Sequence, residues 1–262
     1  MSDESKTPDS PLILLLRSLK LPTFANLHEE TAARAQQQGW SHSEHLRHLC
    51  EMEIADRRER KIRRLQKSSD LAAGKTLSTL NFKKLPAKVV RVLPQLCEGD
   101  FLSRAENVLV FGLPGRGKTH VVSAIGHELV QRGHSVLFTP TYRLVQKLLA
   151  AKRDLLLDRE LSRLDRFAAV ILDDIGYVQQ SRDEMEVLFT FLAQRYERRS
   201  VLLTSNLVFS QWDRIFKDAM TTAAAIDRLV HHSTILELTG PSIRNEQAMK
   251  RRTKTNPPTT AE

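Results

Sequence analysis

At 262 residues with 41% hydrophobic content, the chain can build one α/β domain and a smaller appendage. Its net charge of +9 is concentrated between positions 57 and 91, where twelve basic residues face only Glu59 and Asp70, a distribution that points to a polyanionic partner. Two cysteines, Cys50 and Cys97, exclude a disulfide-rich framework, and the apolar burst 12–16 is too short for a membrane span and poorly flanked for a signal peptide. The expected location is the cytoplasm, with both thiols reduced.

Residues 1–11 are polar, carry Pro8 and Pro11, and are expected to be disordered. A helical DNA-binding domain is expected over 12–70. Leu12, Leu15, Leu16 and Leu19 form a short stripe that ends at Leu21-Pro22, and a second helix runs from Thr23 to Gln38 and stops at Gly39. Ser41 caps a third helix, with Glu44 in capping-box position. The pattern turns Leu46, Leu49, Met52 and Ile54 inward and leaves Arg57, Arg58, Arg60, Lys61, Arg63, Arg64 and Lys67 to face an acidic polymer, joined by Lys83 and Lys84. No aromatic interleaves with the cations of 57–67, which favours contacts to the phosphate backbone over base stacking. Gly74, Pro86, Pro94 and Gly99 interrupt any long period, so 71–100 reads as a basic linker with short elements.

The α/β domain is expected over 101–245, followed by a flexible basic tail at 246–262. Its decisive feature is Gly112-Leu113-Pro114-Gly115-Arg116-Gly117-Lys118-Thr119, then His120, between a strand-like run (Asn107–Phe111) and a helical one. Strand, glycine loop and helix in that order make a phosphate-binding loop. The glycines let backbone amides approach a triphosphate, Lys118 supplies a charge to the outer phosphates, and the Thr119 hydroxyl suits Mg2+. Val136–Phe138, Ala168–Leu172 and Ser200–Thr204 are apolar runs of the kind found in central parallel strands. The second ends in Asp173-Asp174, at the sheet edge where ligands of parallel sheets gather. Asp173 is placed to hold Mg2+ beside Thr119, and Asp174 to deprotonate an attacking water. Asn206, just beyond the strand at 200–204, is a candidate to orient that water; read alone, Ser205-Asn206 is only a turn signal.

The ordered set Gly112–Thr119, Asp173-Asp174-Ile175-Gly176, Thr204-Ser205-Asn206 and Ala225–Leu229 resembles the AAA+ ATPases, and within them the IstB and DnaC group. Leu21–Ala25 and Gly240–Arg244 look most like IstB, the helper ATPase of an insertion-sequence transposase. The resemblance implies Walker A at Gly112, Gly117, Lys118 and Thr119, Walker B at Asp173 and Asp174, and a sensor at Asn206. It places at Arg228 the arginine that reaches a neighbouring subunit's nucleotide, and at Arg244 a second nucleotide sensor. The bland reading of Arg228 is a surface arginine paired with Asp227 or Glu237. The implied protein is a DNA-dependent AAA+ ATPase, taking ATP and Mg2+, that forms a ring or spiral of its own copies on duplex DNA and serves a transposase. A DnaC-like helicase loader and an ATP-gated DNA-binding scaffold are the alternatives. His42, His45 and His48, and the pair His231-His232, have no partners legible in the sequence that would complete a metal site.

Overall fold

The computed structural model describes residues 11–177, 181–212, 219–240 and 242, which fall into two compact units divided after Arg64. The first unit holds α1 (Pro11–Ser18), α2 (Pro22–Gln38) and most of α3 (His42–Ser68). Gly39 closes α2 in the left-handed conformation, with φ 66°, and its amide donates to Ala35 O. Ser41 and Glu44 form the expected capping box: the Ser41 N–H donates to Glu44 Oε2 at 2.8 Å and the Glu44 N–H to Ser41 Oγ at 3.2 Å.

The inward face of α3 differs from the expectation. Leu49 is buried, whereas Leu46 and Ile54 are 57% and 67% exposed, and the side chain that takes the interior is Glu53. It replaces an apolar residue because the amino end of α2 lacks a side-chain cap of its own. Glu53 Oε2 accepts the Thr23 N–H at 2.9 Å, and Oε1 accepts Arg57 Nε at 2.6 Å. A carboxylate at a helix amino terminus is favoured by the orphan amides and the helix dipole. Asp56 adds a second tie, accepting Thr23 Oγ1 at 2.9 Å. Hydropathy periodicity could not show this, since the stabilising partner is a backbone amide from another helix.

The second unit is a five-stranded parallel sheet in the order β2-β3-β4-β1-β5. Its strands are β1 (Asn107–Phe111), β2 (Val136–Pro140), β3 (Ala169–Asp173), β4 (Ser200–Ser205) and β5 (Ser233–Glu237). The helices are α4 (Ala87–Glu98), α5 (Lys118–Gln131), α6 (Thr141–Arg153), α7 (Leu157–Leu164), α8 (Arg182–Arg195) and α9 (Ala219–Val230). Strand side chains alternate between two cores, as a pleat requires. Leu109, Leu172 and Leu203 join Leu148, Leu164, Phe191 and Leu229, while Val108, Ile171 and Leu202 join Leu93, Ile125 and Leu129. Apolar burial on both faces accounts for the uninterrupted hydrophobic strands.

One expectation is revised, and one strand is added. Residues 71–100 are not a linker: α4 runs through Pro94, and Leu80, Leu85, Val89, Leu93 and Leu96 belong to the second core. The helix persists because its stripe at 89, 93, 96 and 97 is buried. β5 was not legible either. It is an edge strand, paired only with β1 and mostly half-exposed, so its sequence lacks the fully apolar signature of the others. Among the described residues no helix is long and apolar enough to cross a membrane.

The sheet end away from the glycine loop is tied by two polar side chains. Arg195, 1% exposed, donates to Leu164 O, Phe167 O and Ser200 O at 3.0 Å each, with Asp165 3.6 Å away. Burial pulls its pKa down to about 10, so the guanidinium stays charged at neutral pH. Asn107 accepts the Val201 N–H at 2.9 Å and donates to Leu229 O at 3.2 Å.

Arg195→Ala leaves those buried carbonyls and Asp165 without their cation and is expected to cost about 3–5 kcal/mol of unfolding free energy. A denaturant titration of the full chain checks this; a loss below about 1 kcal/mol would remove Arg195 as a structural clamp. A second prediction concerns acid. Burial raises the Glu53 pKa, but the Arg57 and Thr23 bonds outweigh it and hold the carboxyl below its ordinary range. The stabilisation is therefore present above the unfolded-state pKa and is lost as pH falls below the ordinary carboxylate range and through the folded-state value. In thermal melts over that range, Glu53→Gln should start less stable than wild type and lose less; parallel curves would refute the linkage.

Candidate functional site

The candidate site lies at the carboxyl edge of the sheet, where β1, β4 and β3 end side by side. The insertion of β4 between β1 and β3 sets the spacing: Val110 pairs with Thr204, and Leu172 with Leu203. Chain leaves β1 at Phe111 into the glycine loop. At Gly112 an added Cβ would meet Leu238 O at 2.6 Å, so only glycine lets the loop pass the end of β5. Gly117, with φ 88°, caps α5 in the left-handed conformation and delivers Lys118 and Thr119 on the first helical turn.

Lys118 is buried and its Nζ donates to Gly112 O at 2.6 Å and to Leu113 O at 3.3 Å, so the cation lies folded over the loop that it is expected to serve. Thr119 Oγ1 donates to Asp173 Oδ1 and Oδ2 at 2.9 and 3.1 Å. The sequence places these two residues 54 positions apart, and the fold brings hydroxyl and carboxylate into contact. Both are hard oxygen donors, the chemistry that suits Mg2+. Asp174 follows with φ 60°, a left-handed backbone that a residue other than glycine adopts at some cost and that recurs at functional sites.

Thr204 has a role that sequence reasoning did not assign. Its hydroxyl donates to Asp173 Oδ1 at 2.8 Å and accepts the Asp174 N–H at 2.8 Å, so one side chain holds the first carboxylate and the backbone of the second. The available signal was a threonine breaking an aliphatic strand at its site end. Thr141 Oγ1 adds a bond to Asp173 O at 3.0 Å. Asn206 reaches the same edge: its Oδ1 is buried without a hydrogen-bond partner, and an added Cβ on Gly176 would collide with it. An unsatisfied buried acceptor beside the two aspartates fits a residue meant to hold a water.

The remaining candidates are distributed as follows. Leu113 is exposed, and Pro114 and Gly115 complete the loop beside it. Arg116 Nη1 donates to Leu238 O at 3.2 Å, so its side chain braces the loop and only its backbone faces the expected phosphates. His120 turns its ring to the 76–79 segment, meeting Thr79 Oγ1 at 3.0 Å and Thr76 O at 3.1 Å. Arg228 makes no ion pair with Asp227 or Glu237 among the described residues; its guanidinium lies 4.7 Å from the Phe189 ring centroid. Arg244 lies outside the described residues. In the first unit, Arg57 and Arg60 are engaged by Glu53, Arg60 also by Asp56, and Arg63 by Glu59. Arg58, Lys61 and Arg64, spaced by three on α3, are exposed and form no ion pair among the described residues, as is true of Lys67 and Lys83; Lys84 is half-buried.

A glycine loop from a central strand, an acid pair at the end of β3 and a polar residue on an intervening β4 define a nucleotide-binding α/β protein. The comparisons make this particular. The profile of the IstB-like ATP binding protein family matches residues 14–251, and the chain belongs to that family. It is 41% identical over 243 residues to an insertion-sequence ATP-binding protein of Sinorhizobium fredii, covering 92% of this chain and 82% of that one. It is 36% identical to the ATP-binding protein of insertion sequence IS21 from Pseudomonas aeruginosa, covering 91% and 90%. Among solved structures it is similar in fold to AMPPCP-bound DnaA from Aquifex aeolicus, with TM-score 0.56 and 16% identity over 74% of this chain and 59% of that one. The chain is thus an ATP-binding member of the IstB-like family with an AAA+ sheet.

Thr204→Val removes the hydroxyl that holds the Asp173 carboxylate and the Asp174 backbone while keeping shape and strand propensity. Affinity for ATP, measured in the presence of Mg2+, is expected to fall about 10-fold with the fold intact, because Asp173 loses its fixed geometry. Unchanged affinity would show that Asp173 is held by other means.

Proposed function

We propose that this protein is a DNA-dependent ATPase that assembles on duplex DNA in the presence of ATP, as a ring or spiral of its own copies, and assists the transposase of its insertion sequence. Membership in a family whose relatives are insertion-sequence ATP-binding proteins carries this reading. Insertion requires a transposase acting on a target duplex, and an ATP-binding protein of such an element has that complex as its natural client.

At the nucleotide, Lys118 would leave its loop carbonyls for the outer phosphates, and the loop amides would hold the rest of the chain of phosphates. Mg2+ held by Thr119 and Asp173 would offset charge on the phosphate oxygens. A water held by Asn206 attacks the γ-phosphorus as its proton passes to Asp174; the new O–P bond forms while the bond to the β-phosphate oxygen breaks, leaving ADP and phosphate. Arg228 would neutralise developing charge in a neighbouring subunit's site. Its seat over an aromatic ring, without an acidic partner among the described residues, supports a group kept available for that use. On the DNA side the exposed row Arg58, Lys61 and Arg64 is the better part of the grip, because Arg57, Arg60 and Arg63 are shared with carboxylates of their own unit.

The test is ATP hydrolysis with no DNA, duplex DNA or single-stranded DNA, with particle size followed on the same samples. ATP-dependent growth on duplex with stimulated turnover is expected, and Asp174→Asn should cut turnover about 10²-fold or more. Binding should fall about 10³-fold or more between about 50 and 200 mM salt if six or more phosphates are contacted. A preference for single strands without large assemblies would shift the reading to a helicase loader. Equal, near-zero turnover in wild type and Asp174→Asn would leave an ATP-gated scaffold.

A further inference from the structure

The sequence leaves His231-His232 without metal-ligand company, but the fold supplies it. Glu197, in the turn that follows α8, places its carboxylate so that one ligand atom from each of Glu197, His231 and His232 lies within 4.8 Å of the others. No other histidine, cysteine or carboxylate group of this kind occurs among the described residues. The imidazole centroids of His231 and His232 are 4.1 Å apart.

The backbone carrying these side chains is pinned on both sides. The His231 N–H donates to Asp227 O at 2.9 Å, continuing the last turn of α9, and His232 O accepts the Asn107 N–H at 2.8 Å from the start of β1. Asn107 also holds Leu229 O, so the turn is fixed to the sheet twice. The turn bearing Glu197 is closed by the amides of Arg198 and Arg199, which donate to Arg195 O at 3.0 and 2.9 Å. Arg195 is itself the buried clamp of that sheet end. A further bond orients one ring: Tyr196 Oη lies 2.9 Å from His231 Nδ1, which leaves Nε2 for a ligand. A hydrogen bond to the second nitrogen of a ligating imidazole fixes its tautomer and raises its donor strength.

We propose that Glu197, His231 and His232 bind a divalent transition-metal ion of the zinc class, with Tyr196 as the positioning residue for His231. Two imidazole nitrogens and one carboxylate oxygen are a borderline donor set that favours Zn2+ over Mg2+, and three protein ligands leave a fourth position for water. The ion would tie the end of α9 to the end of α8. Arg228 lies one helical turn before His231 and Phe189 lies on α8, so the ion would stiffen the seat of Arg228. The site stands whether or not Arg228 acts on a neighbouring subunit, and its test reads binding of the metal itself.

The full-length protein without an affinity tag is titrated with Zn2+ against a chromophoric chelator, and its melting is recorded with and without one equivalent. One bound ion and a raised melting temperature are expected. His231→Asn, His232→Asn and Glu197→Gln should each weaken binding about 10-fold or more and abolish the rise. Tyr196→Phe, which keeps all three ligands, should weaken it about 10-fold. Glu197, His231 and His232 are exposed and Tyr196 is half-buried, so metal-free melting should stay near that of wild type, and a histidine variant that fails this check is replaced by His231→Gln or His232→Gln. A large excess of Mg2+ should not displace the ion. The proposal is overturned if the His231→Asn/His232→Asn double variant binds as wild type does, if binding is lost only on substitution of Cys50 or of His42, His45 and His48, or if no ion binds at micromolar concentration.

Discussion

The Asp173 carboxylate is the point on which the nucleotide edge depends. It accepts a hydrogen bond from Thr119 at the start of α5 and another from Thr204 near the end of β4, so one side chain joins three successive elements of the sheet edge. Neither threonine is adjacent to it in sequence, and the contact exists only because β4 runs between β1 and β3. The strand order is therefore a condition of the chemistry. Were β3 beside β1, the acids and the glycine loop would meet with no residue between them to orient either one.

The two ends of the sheet use buried polar groups differently. At the far end, Arg195 and Asn107 satisfy backbone carbonyls and amides that the strands leave unpaired where they begin. Those bonds tie four segments of backbone together and serve rigidity, although Arg195 Nε itself is left without a partner among the described residues. At the site end, Asn206 Oδ1 is buried with its bonding capacity unspent, and Asp174 has a strained left-handed backbone. Unmet polar capacity and strain cost stability, and they persist where surrounding packing holds them in place. Rigid strand starts opposite reactive strand ends are a common division of labour in parallel sheets.

Much of this was legible in the residues. The glycine loop has a fixed local grammar, and β1, β3 and β4 are buried on both faces, so their apolar runs announce themselves. The capping box at Ser41 and Glu44 is likewise local. What escaped is non-local or partly exposed. β5 is an edge strand with a mixed surface, and α4 reads as broken because Pro94 interrupts it in sequence while core burial maintains it in space. Glu53 takes an inward position that periodicity assigns to leucine or isoleucine, for the sake of an amide on α2. The orienting role of Thr204 and the meeting of Glu197 with His231 need strand order and a turn 34 residues away, which spacing does not encode.

Glu53 has one more consequence. By engaging Arg57 and Arg60, it divides the cations of α3 into those that hold the helices together and those left for an outside anion. Formal charge thus overstates the electrostatic reach of this segment. A lineage that lost this glutamate would deprive Arg57 of its carboxylate, while Arg60 kept Asp56, and would attract polyanions more strongly and less discriminately while loosening the bundle that presents them. Fold stability and adhesiveness are opposed through a single carboxylate, so selection on either one acts on both.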